Sequence, residues 1–286
     1  MTKIMLPGHL CLPALLLLLT SCSMLTPETP GAGGFDLEND LLLAQFDSKT
    51  DVDDIHSIAA VATMLDDARL AGVRYHAVAG AYGTQGGLYI PANELFEAAF
   101  GDKWSDAHTD FEGAVDEVAG VVMNTLNSGG DVWIAEAGQS DFSAALIKNV
   151  KLRLQRIDTE RHIHIVQHSE WNESSTYPDN LDYVRKHASY NKIPDGNAVG
   201  NGTPGFRVNN HVNIRQYITR PELLKVWDMA IQIANRYNGS QNRYTNAHIK
   251  NGGMDFSDAA ETCWIFGFDH LRDAWAFFEE FATPSE

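Results

Sequence analysis

Leu41-Leu42-Leu43-Ala44-Gln45-Phe46 runs directly into Asp47-Ser48-Lys49-Thr50-Asp51-Val52-Asp53-Asp54. A six-residue, almost wholly apolar run ending in a polar turn reads as a strand buried on both faces. The helical periodicity of Asp54–Leu65 follows without a gap, so the pair is a strand-to-helix unit. Four carboxylates, Asp47, Asp51, Asp53 and Asp54, crowd this one turn. Like charges so close repel unless a cation offsets them, and the hard ion Ca²⁺ takes oxygen ligands from such clusters. The competing reading is a helix start, where acidic residues cap amides and favour the positive end of the dipole. Capping accounts for one or two of the four.

Outward from this unit the pattern repeats. Val73–Ala79 reads as a second strand, Asp131–Ala137 as a third and His162–Gln167 as a fourth. Pro91–Phe100, Phe111–Leu126, Phe142–Leu154 and Asn180–His187 read as helices, and Thr219-Arg220-Pro221-Glu222 as a capping box opening a helix through Tyr237. Strands alternating with helices require crossover connections. The predicted fold class is therefore α/β, a mostly parallel central sheet flanked by helices. Ligands of such sheets bind at the carboxyl ends of the strands, where the acidic turn lies.

The 286 residues are 44% hydrophobic, enough for one large core, and neither a second domain nor an internal repeat is visible. With 38 acidic against 21 basic residues the net charge is -17, which argues against a nucleic-acid partner. The apolar stretch Leu10–Leu19 behind Lys3 has the length of a signal-peptide core, too short to span a bilayer. It ends in Leu19-Thr20-Ser21-Cys22, which resembles the lipobox of bacterial lipoproteins. The resemblance implies a signal peptide over residues 1–21 and lipidation of Cys22; Ser23 in place of Asp favours an outer-membrane anchor. The Pro- and Gly-bearing residues 22–40 then read as a tether, and residues 41–286 as the domain. Cys263, in an apolar run, reads as a packing residue.

The segment Leu43–Ala60 resembles the opening of the calcium-dependent nucleoside hydrolases, Asp-x-Asp-Pro-Gly-x-Asp-Asp, with Asp47, Asp53 and Asp54 matching. Lys49 stands where that motif has its second Asp, the calcium ligand and general base. The arrangement is closer to a divergent branch of secreted bacterial proteins. Val132–Leu146 resembles the family's Gly-Pro-Leu-Thr-Asn-Leu-Ala turn, with Asp141 where a carbonyl donor reaches the metal. Ser169-Glu170-Trp171-Asn172 resembles its Glu-Phe-Asn, which binds ribose hydroxyls, and Met254–Ala260 its late calcium-binding Asp, with Asp258 preferred over Asp255. The resemblance implies a nucleoside-hydrolase-like fold and a Ca²⁺ site drawn from Asp47, Asp51, Asp54, Asp141 and Asp258. It also implies substrate contacts from Asp53, Glu170, Asn172 and Asp258. Ala81 stands where the family shows an Asn that touches substrate.

Two function classes follow. One is a Ca²⁺-dependent hydrolase of an N-ribosidic or related glycosidic bond, with Asp47 or Asp51 as base because Lys49 accepts no proton. The other is a non-catalytic carbohydrate- or nucleoside-binding lipoprotein on the same scaffold, which Lys49 and Ala81 favour. In either case the partner is a small nucleoside or sugar. Trp104, Trp171, Tyr89 and Tyr177 are candidate stacking platforms. His56, His162 and His164 read as structural, with His168 at a strand end the exception. Gly83–Gly87 is positioned to approach a ligand, and the Asn- and Gly-rich stretch Asn191–Asn213 reads as a polar lid.

Overall fold

The computed structural model describes Met1, residues 34–198 and residues 205–282. Residues 2–33, which include Cys22 and nearly all of the expected signal peptide and most of the expected tether, lie outside the described residues. Six strands form one parallel sheet: β1 (Leu41–Phe46), β2 (Arg74–Ala79), β3 (Trp104–Asp106), β4 (Val132–Ala137), β5 (Ile163–Gln167) and β6 (Ser189–Lys192). Their spatial order is β3-β2-β1-β4-β5-β6, every neighbouring pair parallel. The chain therefore winds outward from β1 one way and then, from β4, the other.

The connections carry α1 (Asp53–Leu65), α2 (Asn93–Phe100), α3 (Phe111–Asn127), α4 (Asp141–Arg153), α5 (Thr159–His162), α6 (Glu170–Ser175) and α7 (Pro178–His187). Beyond the sheet come a two-residue strand β7 (Arg207–Val208), α8 (Pro221–Tyr237), α9 (Ala247–Lys250), β8 (Met254–Asp255), α10 (Ala260–Phe266) and α11 (Ala274–Glu280). β7 and β8 pair antiparallel. Among the described residues no helix is long and apolar enough to cross a membrane.

The period-2 side-chain alternation of β1 divides the core. Leu42, Ala44 and Phe46 enter a layer completed by α1, α2, α8, α10 and α11, whereas Leu41 and Leu43 enter one completed by α3, α4 and α7. Burying a large apolar side chain is worth about 1.5–3 kcal/mol, and both layers are dense with them. Trp227 of α8 is fully buried and donates its indole N–H to Thr63 Oγ1 at 2.9 Å. Cys263 is likewise a buried packing residue.

Four expectations need correction. Residues 35–40 belong to the fold: Phe35 packs edge-on against Phe266, and Asp40 accepts hydrogen bonds from the Asp131 amide and the Trp133 indole. β3 and β6 are additional strands, one only three residues long and the other a polar edge, so neither carries an apolar run. Helix α8 starts at Pro221, two residues past the expected cap Thr219, with Arg220 at the cap position making no side-chain capping bond and Pro221 setting the first turn. The Asn191–Asn213 stretch is partly anchored, by β6 at one end and β7 at the other; residues 199–204 of the expected lid lie outside the described residues.

Candidate metal centre and cleft

The winding reverses between β1 and β4, which leaves a crevice above their carboxyl ends. A cavity of about 340 Å³ opens there, a volume suited to a small-molecule ligand. The turn after β1 lines it with Asp47, Lys49, Thr50, Asp51 and Asp53. The turn after β4 adds Ala137 and Gly138, and the β5–α6 junction adds His168, Ser169, Trp171 and Asn172. Asn197, Arg207, Tyr244 and Asp258 close it from the second half of the chain. Gly138 has φ 152°, and a Cβ there would lie 2.7 Å from the Ala81 carbonyl and 2.9 Å from Asp47 Cβ, so the two strand ends approach only because this residue is glycine.

The first turn of α1 brings Asp53 and Asp54 to Asp258, with one carboxylate oxygen of each within 4.8 Å of the others. Burial pushes all three carboxyls well above the usual range, and their mutual repulsion adds to it, together with Asp47. Asp54 accepts the Ser48 amide through Oδ2, its buried Oδ1 receives no amide or hydroxyl donor, and its carboxyl lies against that of Asp47. A buried carboxylate oxygen without a donor, beside other carboxylates, is costly unless a cation occupies the space between them. The all-oxygen donor set fits Ca²⁺ better than a softer metal.

The other expected residues divide. Asp47 is held by its neighbours: Oδ1 accepts the Lys49 amide at 2.7 Å, and Oδ2 accepts Gln85 Nε2 at 3.1 Å and Gln139 Nε2 at 3.0 Å. Asp51 stands outside the three-carboxylate cluster, its carboxyl raised to about 6 by burial and by Asp255. Asp53, expected as a substrate contact, lines the cleft and is also one of the clustered carboxylates. Asn172 is buried and lines the cleft.

Asp141 does not face the acidic cluster. Its carboxylate accepts Asn180 Nδ2 at 2.7 Å and the Tyr177 amide at 3.4 Å, tying α4 to α7, and the Ala137–Gly138 backbone lines the cleft in its place. Glu170 is exposed and is not among the lining residues. Of the four candidate platforms only Trp171 lines the cleft, half-exposed. Trp104 stacks on Phe96, Tyr89 on His108, and Tyr177 faces solvent elsewhere.

Arg207 and Tyr244 line the cleft without having carried a signal in the sequence, whereas His168 is the histidine that its strand-end position singled out. Arg207 reaches in from β7 and pairs through Nε with Asp255 Oδ2 at 2.8 Å. Asp255 is saturated by Arg207, Asn246 and Ser257, so the late carboxylate that meets Asp53 and Asp54 is Asp258, which also lies 3.7 Å from His168 Nε2. His168 gives Nδ1 to Glu261, a fully buried partner from α10. Burial opposes the imidazolium, but the Glu261 carboxylate prevails and raises His168 to about 9. His56 is the opposite case: burial lowers it to about 4, so it is neutral and accepts the Asp255 amide. His162 and His164 both pair with Asp131 at the other end of the sheet. Gln139, next to Gly138 at a strand end, is the one missed residue that the strand-end rule could have flagged.

No family profile, curated protein or solved structure matches the chain.

Proposed function

We propose that the domain is a Ca²⁺-dependent hydrolase of an N-ribosidic or related glycosidic bond, carried on the cell envelope by a lipid on Cys22. The observation that carries the reading is the convergence of Asp53, Asp54 and Asp258 within 4.8 Å, with Asp54 Oδ1 buried and without an amide or hydroxyl donor, where Asp53 and Asp258 line a cleft of about 340 Å³. Asp53, Asp54 and Asp258 would hold the ion, which when bound would supply a Lewis-acidic centre for oxygen ligands.

The chain's own residues do the rest. Asp51 lines the cleft beside the cluster, and a carboxyl near 6 is ionised at neutral pH yet basic enough to take a proton from water. Lys49 donates its backbone amide to Asp47 and lays its ammonium 4.0 Å over the Tyr82 ring, so the cation is turned to an aromatic face. Asn172 binds a sugar oxygen, Trp171 stacks on the ring of the leaving group, and the surrounding carboxylates favour a sugar that gains positive charge as the bond breaks.

The second reading, a non-catalytic binder of nucleosides or sugars, is favoured by Lys49 at the position of the motif's base and by Ala81, which is fully buried and offers no side-chain contact. One experiment separates the two. Purified mature protein is incubated with a panel of ribonucleosides and with p-nitrophenyl riboside, in Ca²⁺ and in EDTA. Release of ribose in Ca²⁺ alone supports the hydrolase. Calorimetric binding without release supports the binder, and neither outcome at millimolar ligand refutes both.

A further inference from the structure

Beneath the cleft floor a chain of buried side chains links β4, β5, α6 and the β1 turn. Its inner end is Glu136 of β4, whose Oε2 accepts Ser140 Oγ at 2.7 Å and Gln167 Nε2 at 3.0 Å. The same Gln167 nitrogen donates to the Gly138 carbonyl at 2.7 Å. Both partners only accept, so Gln167 must turn its nitrogen to them and its oxygen toward α6. Asn172 Nδ2 donates to that oxygen at 3.1 Å, which commits the Asn172 oxygen to the other side. There Gln139 Nε2 donates to Asn172 Oδ1 at 3.3 Å and to Asp47 Oδ2 at 3.0 Å.

Working inward from Asp47 gives the same answer, because a carboxylate there demands the Gln139 nitrogen. Three amides thus stand between two acceptor ends in a single consistent orientation, and reversing any one sets oxygen against oxygen or N–H against N–H in a buried place. Asn172 then has one N–H left, and Asn172 lines the cleft.

We propose that Glu136 is a positioning residue that, through Gln167, holds the Asn172 amide so that the cleft receives an N–H donor and the ligand atom bound there is an acceptor oxygen. This rests on the cleft being the ligand site proposed above. The anchoring atom is Oε2, which already accepts Ser140 Oγ and Gln167 Nε2, while burial raises the Glu136 carboxyl to about 7.

The test has a structural and a kinetic arm. In the first, hydrogen exchange of the Gln139, Gln167 and Asn172 side-chain amides is followed by NMR in the wild type, Glu136→Gln, Glu136→Met and Gln167→Met. Glu136→Gln keeps an acceptor and should retain slow exchange at Asn172, whereas both Met variants should lose it. Gln167→Met breaks the same link if Glu136→Met does not fold. In the second arm, KM for uridine in Ca²⁺ should rise about five- to tenfold in Glu136→Met, the worth of one hydrogen bond, with kcat little changed and Glu136→Gln close to wild type. Asn172→Ala should match it, and the double variant should be no worse than Asn172→Ala alone. Asn172 amide protection unchanged in both Met variants, or additive losses in the double variant, would overturn the proposal. Absence of any uridine hydrolysis by the wild type would count against the proposed activity, and the exchange arm alone would then decide the role of Glu136.

Discussion

Replacing Asp54 with Asn should have opposite effects on stability with and without Ca²⁺. Asp54 stands within 4.8 Å of Asp53 and Asp258. At an effective dielectric constant of about 20, two full charges that far apart repel by roughly 3.5 kcal/mol. The cation-free protein relieves part of this by holding protons, as the raised carboxyls indicate. Asp54→Asn removes two of the three repulsions and weakens the Ser48 amide bond from a charged to a neutral acceptor. In EDTA the variant should therefore be about 1–2 kcal/mol more stable than wild type. At Ca²⁺ one hundred times the dissociation constant, the wild type gains about 2.7 kcal/mol and the variant nothing. For a domain of this size that gain is a rise in Tm of roughly 5–11 °C. Melts of both proteins in EDTA and in Ca²⁺ should therefore cross over. An equal Ca²⁺ shift in both would show that Asp54 is only a helix-start residue, and a wild type without any shift would remove the metal centre.

The same carboxylates fix a pH trend. Their folded-state values lie above the unfolded ones, so the native cation-free form binds more protons; its stability is greatest at or below the unfolded carboxylate range and declines as pH rises through the raised values. The Ca²⁺-induced rise in Tm should consequently be larger at pH 8 than at pH 5.5, and equal shifts by differential scanning fluorimetry would contradict this. Asp51→Asn should leave the Ca²⁺ shift intact, since Asp51 stands outside the cluster, and lower kcat for a ribonucleoside by about 10²–10⁴. A variant retaining wild-type kcat would assign the proton to another group. Trp171→Ala, at a half-exposed position, should cost less than about 0.5 kcal/mol in urea unfolding yet raise KM for nucleosides more than for free ribose. Trp227→Ala should instead lower unfolding stability by about 3–5 kcal/mol through the cavity it leaves.

The local chemistry of the chain was enough to specify the frame. Leu41–Phe46 is buried along its whole length because five of its six residues are apolar, Gln45 accepting Ser143 Oγ, and a strand of that kind lies inside a helix-covered parallel sheet. The alternation of such runs with helical periods then implies the layers, and the strand-end rule places Asp47–Asp54 at the ligand side. β3 and β6 escaped notice because a three-residue strand and a polar edge strand carry no period to read. The tertiary structure alone decided which of the carboxylates meet. Asp53, Asp54 and Asp258 converge because the β7–β8 ribbon folds back over α1, while the resemblance assigned Asp53 to substrate and Asp141 to metal. Asp141 is instead claimed by Asn180 and the Tyr177 amide, and Asp255 by Arg207, partners 36 to 48 residues away that no local window contains. Hydrophobic period is a property of neighbours in sequence. The pairing of buried polar groups is settled only when distant segments compete for the same donors, and it is that competition that leaves Asp54 Oδ1 without one.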